Sequence, residues 1–219
     1  NIENREIIIL SSLNAPNPKI LPLLFIAETA KELGAKSIGL CAPYLAYMRQ
    51  DKRFKTGEGV TSEYFAKLIS RYFDWLVTVD PHLHRHHDLS EIYSIPNSVL
   101  HAASQISRWI VNEVESPVLI GPDNESEQWV SAVAYEANVP YIIFNKIRHS
   151  DYEVDISAPE IGLYLSHTPV LIDDIISTAK TMLGTISHLK KLKMNIPVCI
   201  GVHAVFADNA YECLLNSGA

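Results

Sequence analysis

The chain has 219 residues, 47% of them hydrophobic and 20% charged, with a formal net charge of −7. That is enough for one large α/β domain or two small ones, and the composition is that of a globular chain, not a disordered one. The acidic balance disfavours a nucleic-acid partner, and no apolar run reaches the roughly 18 residues of a membrane span. Asn1 to Arg5 is polar and carries no signal-peptide pattern. Cys41, Cys199 and Cys213 are odd in number and widely spaced, so they read as free thiols of a reducing cytosol and place the chain in the cytoplasm.

In chain order, Ile7–Leu10 reads as a strand that ends in the turn residues Ser11, Ser12 and Asn14. Apolar residues at helical spacing (Leu21, Leu24, Phe25, Ala27, Leu33) predict a helix over Leu21–Leu33, stopped by Gly34. Ser37–Cys41 is a strand, Thr61–Tyr72 a helix capped by Thr61 or Ser62, and Trp75–Val79 a strand. A helix over Leu100–Glu113, a strand over Pro117–Ile120, a helix over Glu127–Ala137 and a strand over Tyr141–Phe144 follow. Asp155–His167 lacks periodicity and reads as a loop or small β-flap. The chain closes with a strand over Val170–Ile172, a helix over Thr178–Leu192, a strand over Val198–Val202 and a short helix over Asn209–Leu215. This alternation, with near-continuous apolar strands, predicts parallel sheets flanked by helices on both faces. A break at Ile95-Pro96-Asn97 divides the chain into residues 1–96 and 97–219. Ligands of such sheets bind beyond the carboxyl ends of the strands, so the polar residues there come first.

The segment Val170 to Thr181 is an apolar strand ending in Asp173-Asp174, a Ser/Thr-rich turn and a helix start. Strand-end carboxylates can accept hydrogen bonds from vicinal sugar hydroxyls, and amides at a helix N-terminus can seat a phosphate. A solvated helix cap is the plainer use of the same pattern. The segment resembles the phosphoribosyl-pyrophosphate loop of type I phosphoribosyltransferases and phosphoribosyl-pyrophosphate synthetases, a strand followed by Asp-Asp, two apolar residues and Asp-Thr-Gly-Gly-Thr. Asp173, Asp174, Thr178 and Thr181 match it, Ser177 stands for the acid, and Ala179-Lys180 for the two glycines.

Other segments separate the two families. Ala42 to Arg53 is similar to the synthetase signature Pro-Tyr-x-x-Tyr-x-Arg-Gln-Asp, which plain phosphoribosyltransferases lack. Thr78 to His82 resembles the family's strand followed by Asp-Leu-His, with Pro81 in place of leucine. Pro117 to Asp123 resembles a strand ending in Pro-Asp, although the following Asn124 to Gln128 is more acidic than the family pattern. Lys146 and Arg148 match a Lys-x-Arg that opens the catalytic loop. His84, His86 and His87 read as a solvated loop and not as a zinc site.

The resemblance covers nearly the whole chain in one order and implies a ribose-phosphate pyrophosphokinase on a doubled phosphoribosyltransferase fold. Residues 1–96 would be the nucleotide half, without the family's Phe-x-Asp-Gly-Glu segment, and residues 97–219 the ribose 5-phosphate half. Diphosphate would pass from Mg-ATP to the 1-hydroxyl of ribose 5-phosphate. By resemblance, Arg49, Gln50 and His82 bind ATP, and His82 and Asp123 hold Mg2+. Lys146 and Arg148 are catalytic, Asp173 and Asp174 hold the ribose, and Ser177, Thr178, Ala179, Lys180 and Thr181 seat its 5-phosphate. The family also implies a homo-oligomer. A catalytically weak regulatory subunit and a phosphoribosyltransferase are the other functions considered.

Overall fold

The computed structural model describes residues 1–148, 154–157 and 161–219. The chain forms two compact units, Asn1–His101 and Ala102–Ala219. In the first, β1 (Glu6–Leu10), β2 (Ser37–Ala42), β3 (Trp75–Val79) and β4 (Asn97–Leu100) make a parallel sheet in the order β1-β2-β3-β4. α1 (Pro16–Glu32) and α2 (Thr61–Tyr72) are its crossover helices.

Strands that succeed one another in space as in sequence, joined by right-handed crossovers, put their helices on one face. Burial follows that rule. Ile38, Leu40, Ala42 and Leu76 pack with Leu24, Ala27, Phe65 and Ile69 of the helices. Ile8, Leu10 and Leu100, on the opposite face, are exposed. On that same face Gly39 pairs with Trp75, and a Cβ at residue 39 would lie 2.0 Å from the indole. The glycine is the space the indole occupies.

Two sequence expectations shift here. α1 starts at Pro16 and continues through Pro22, so its first turns lack the apolar periodicity that marks the rest. Its buried residues are Leu23, Leu24, Ala27 and Ala30, while Leu21, Phe25 and Leu33 are exposed. Leu100 ends β4 instead of opening a helix, which carries the first unit on to His101.

Tyr93 is 1% exposed and its hydroxyl has no hydrogen-bond partner among the described residues. Burial pushes this phenol well above its ordinary range. Replacing an unpaired buried hydroxyl by hydrogen removes a desolvation cost. Tyr93→Phe should therefore raise stability by about 1 kcal/mol, read as a higher midpoint in urea melts.

The second unit comprises α3 (Ala103–Glu113), β5 (Pro117–Gly121), α4 (Glu127–Ala137), β6 (Tyr141–Ile143), β7 (Asn145–Arg148), β8 (Val154–Ser157), β9 (Thr168–Ile176), α5 (Lys180–Lys191), β10 (Val198–Ala204) and α6 (Ala210–Asn216). Its parallel sheet has the order β10-β9-β5-β6, and β7 and β8 form a separate antiparallel pair. The expected flap thus becomes β8 and a short 3-10 turn at Ile161–Tyr164, with residues 158–160 outside the described residues.

From β5 the chain winds outward through α4 to β6. From β9 it winds the other way through α5 to β10. Right-handed crossovers in opposite directions place α4 and α5 on opposite faces. Two separate cores result. Ile110, Val130 and Val133 pack on Leu119, Val170 and Ile172, and Met182, Ile186 and Leu214 pack on Val118, Ile120 and Leu171. The winding reverses between β5 and β9, and the crevice beyond that reversal is where open α/β sheets take ligands. Among the described residues, no helix is long and apolar enough to cross a membrane.

Candidate functional site

Asp123 stands just beyond the carboxyl end of β5, and Asp173 and Asp174 lie in the carboxyl-terminal half of β9. β5 ends in Gly121, where a Cβ would fall 2.6 Å from the Ser126 hydroxyl and 2.5 Å from Ile143 Cδ1. Only glycine lets the chain turn that tightly into Asp123. The Asp123 Oδ1 accepts from the Ser126 N–H at 3.3 Å, and the Ser126 hydroxyl oxygen accepts from the Asp123 N–H at 3.5 Å. This capping box fixes the acid at the strand end.

β9 is longer than its apolar run and carries both acids inside the strand. Asp173 Oδ1 accepts from the Asp174 N–H at 3.0 Å, and Asp174 Oδ1 accepts from the Ile175 N–H at 2.8 Å. Asp174 is buried. Burial first, then the charge of Asp174, its hydrogen bond and the charge of Asp123 push the Asp173 carboxyl up to about 7. Three carboxylates therefore share one electrostatic neighbourhood at the point where the winding reverses. Such carboxylates can accept hydrogen bonds from hydroxyls.

After β9, Ser177 and Thr178 lead to Ala179, whose φ of 58° is left-handed. This is where the resembling loop carries glycine, and the backbone explains why: an L-residue with a Cβ is strained there by roughly 1–2 kcal/mol. Ala179→Gly should relieve that strain while loosening the unfolded chain by a similar amount. The melting midpoint should stay within about 3 °C, checked by calorimetry. Lys180 opens α5, is exposed, and forms no hydrogen bond or ion pair among the described residues. Thr181 lies in the first helical turn, and its carbonyl accepts from the Thr185 hydroxyl at 3.1 Å. Lys146 and Arg148 lie on β7, in register with Ile156 and Val154 of β8.

The first unit holds the other named residues. Arg49 and Gln50 are exposed after a tight segment in which Tyr47 adopts φ 65°. The Tyr47 hydroxyl donates to Asn17 Oδ1 at 3.0 Å, and its ring packs on Phe65 at 5.1 Å. Thr61 or Ser62 is expected from the sequence to cap α2, but neither does, and the N-cap position falls on Val60. The Thr61 hydroxyl donates to Gln50 Oε1 at 2.7 Å, and the Ser62 hydroxyl to the Gln50 carbonyl at 3.0 Å. The amide of Gln50 is thereby held by its oxygen, leaving its N–H groups to donate. Asp51, with a side chain 6% exposed, lies 3.6 Å from Arg85 of the histidine loop.

β3 leads through buried Asp80 and Pro81 to half-buried His82. Asp80 has φ 35°, its N–H donates to the Leu100 carbonyl at 3.0 Å, and its Oδ1 lies 2.7 Å from His101 Nδ1. His86 Nδ1 meets Glu91 at 3.0 Å, and that hydrogen bond holds the Glu91 carboxyl below its usual range. Among the described residues, no three His, Cys, Asp or Glu side chains are arranged to hold a metal by themselves. The three cysteines are free, and burial pushes the Cys199 thiol up to about 11, away from reactive thiolate chemistry.

The structure thus brings Asp123, Asp173 and Asp174 together within the second unit and strings Arg49, Gln50 and His82 along the strand ends of the first. The metal pair expected from the sequence, His82 and Asp123, draws one residue from each unit. Sequence reasoning missed Asp80 and His101. The acid at the end of β3 was visible, but its partner lies 21 residues away, just past β4, a strand that the pattern did not show.

Comparison with known proteins bears on both units. Residues 1–72 match the model of the N-terminal domain of ribose phosphate pyrophosphokinase, and residues 88–216 match the phosphoribosyl transferase domain. Ribose-phosphate pyrophosphokinases of Sulfurisphaera tokodaii and Saccharolobus solfataricus are each 32% identical over 222 residues, covering 100% of this chain and 75% of theirs. That of Methanopyrus kandleri is 31% identical, covering 97% of this chain and 72% of its own. The crystal structure of phosphoribosylpyrophosphate synthetase from Mycobacterium smegmatis has the same fold, with a TM-score of 0.87 at 24% identity, covering 100% of this chain and 71% of that one.

Proposed function

The chain belongs to the ribose-phosphate pyrophosphokinase family, and from that premise we propose that it transfers the β,γ-diphosphoryl group of Mg-ATP to the 1-hydroxyl of ribose 5-phosphate. The products are phosphoribosyl pyrophosphate and AMP. The observation that carries this reading is the carboxylate group of Asp173, Asp174 and Asp123 at the winding reversal, followed directly by the Ser177–Thr181 turn.

Asp173 and Asp174 accept hydrogen bonds from the ribose hydroxyls, which fixes the ring and with it the direction of the 1-hydroxyl. Amides and hydroxyls from Ser177 to Thr181, with the exposed ammonium of Lys180, hold the 5-phosphate. Arg49 stacks on or pairs with the nucleotide, and Gln50 donates its held amide to it. Lys146 and Arg148 meet the charge that develops on the transferred group. By the family resemblance, His82 of the first unit and Asp123 of the second are each carried over as residues that would hold Mg2+, which would neutralise phosphate charge. The crowding of Asp173 by two further carboxylates suits a nearby cation.

The test is an AMP-release assay on the purified chain with ATP, Mg2+ and ribose 5-phosphate. AMP should form only when all three are present. Nucleotide binding without AMP release would instead make the chain a regulatory subunit. Consumption of phosphoribosyl pyrophosphate with a free base would make it a phosphoribosyltransferase.

A further inference from the structure

We propose that His101, oriented by Asp80, is an additional residue that contacts the polyphosphate of the nucleotide. This rests on the nucleotide-binding reading of the first unit.

The Asp80 carboxylate is 5% exposed, whereas the His101 side chain is 73% exposed, and the two meet at 2.7 Å through Nδ1. An exposed ring is normally mobile. This one is fixed by a single short bond to a buried group. With Nδ1 turned to the carboxylate, Nε2 lies on the far side of the ring and faces outward. An imidazole that carries N–H on both nitrogens offers the outward one as a charge-assisted donor for an anionic oxygen.

The position fits such a ligand. Asp80 leaves the carboxyl end of β3 and His101 that of β4, adjacent parallel strands, at the edge where these sheets bind ligands. Asp80 is held in a left-handed conformation by its N–H bond to the Leu100 carbonyl. Just before it, the Val79 N–H and the Thr78 hydroxyl donate to the Pro43 carbonyl at 3.1 and 3.3 Å. Pro43 begins the segment that leads to Arg49 and Gln50, and His82 lies two residues beyond Asp80. One hydrogen-bonded knot therefore fixes the starts of both segments. Backbone strain of this kind persists where the surroundings enforce it, and it collects at binding sites. Asp80 is a positioning residue, and the outward nitrogen of His101 is the contact.

The bland alternative is that His101 merely supplies a donor to a buried acid. Asparagine separates the two roles. Its amide nitrogen can take the place of Nδ1 and keep the bond to Asp80, but it has nothing in the place of Nε2. His101→Asn should weaken Mg-ATP binding about tenfold by titration calorimetry and raise KM for ATP to match. KM for ribose 5-phosphate should stay within twofold, and the melting midpoint should not move. His101→Ala should show the same loss of Mg-ATP affinity. If His101→Asn binds Mg-ATP as the parent chain does, the histidine serves only Asp80 and the inference falls. Equal losses for both substrates, or a lowered midpoint, would sink it as well. A parent chain that fails to bind Mg-ATP at all would overturn the nucleotide reading first and this one with it, so the two failures are told apart by the parent's own titration.

Discussion

Asp173→Asn should flatten the pH dependence of stability between pH 5 and 8 by on the order of 3 kcal/mol. Asp173 is mostly buried beside Asp174 and within reach of the Asp123 charge, and its carboxyl is pushed from 3.8 up to about 7. The folded chain therefore holds this proton more tightly than the unfolded chain does. Its contribution to stability is complete below about pH 4 and is lost as pH rises through 7. At pH 8 the native state carries an ionised carboxylate in a place that opposes ionisation. Asparagine has no charge to acquire, so the variant should gain on the parent steadily from pH 5 to pH 8. Urea melts at the two values measure this directly. Parallel behaviour of parent and variant would mean that the acid ionises normally in the folded chain. The same variant should lose affinity for ribose 5-phosphate, because one oxygen acceptor becomes an N–H donor. Stability and binding then move in opposite directions, as expected where a site holds groups in unfavourable surroundings for the sake of a ligand.

Lys146→Ala should slow AMP release roughly a thousandfold, the equivalent of about 4 kcal/mol of transition-state stabilisation. Phosphoryl transfer gives a protein little covalent chemistry to perform. Rate comes from position and from cations that meet spreading negative charge. Lys146 lies on β7, whose pairing with β8 keeps the local backbone extended whatever the side chain at 146. The substitution should therefore leave the melting midpoint within about 2 °C while removing the charge. Its effect should fall on kcat, with KM for ribose 5-phosphate nearly unchanged, because a group used only in the transition state does not tighten the ground state. A loss smaller than tenfold in folded protein would remove Lys146 from the mechanism.

Most of the strands were legible as short continuous apolar runs; for Pro117–Ile120 helices on both faces of the sheet account for the run, whereas in Ile7–Leu10 it persists although Ile8 and Leu10 lie on the exposed face. β4 was not. Asn97 and Ser98 open it, it is the last strand of its sheet, and Leu100 fits the helical spacing of the residues that follow. β9 was cut short for a related reason: Asp173 and Asp174 interrupt the apolar pattern although the backbone continues extended through them. The hairpin β7–β8 is too short and too polar to declare itself. In α1 the apolar residues surround the helix, so periodicity alone could not tell Leu24, which is buried, from Phe25, which is exposed. The site divides along the same line. Residues strung within one segment, such as Arg49-Gln50 or Asp173-Asp174, could be read as words. The bond between Asp80 and His101, and the charge of Asp123 on Asp173, join distant segments and exist only once the sheets form.

The opposed winding of the second unit has a consequence for anyone who wishes to redesign it. Its sheet separates two hydrophobic layers that share strands but no helices, one built on α3 and α4 and the other on α5 and α6. Substitutions at Val133 and at Met182 should therefore combine almost additively, each layer tolerating its own repacking without consulting the other. Changes in β5 and β9 have no such freedom, since neighbouring residues of one strand, such as Leu171 and Ile172, answer to different layers. Sequence drift should thus be loose in the helices and tight in the two strands that deliver the carboxylates.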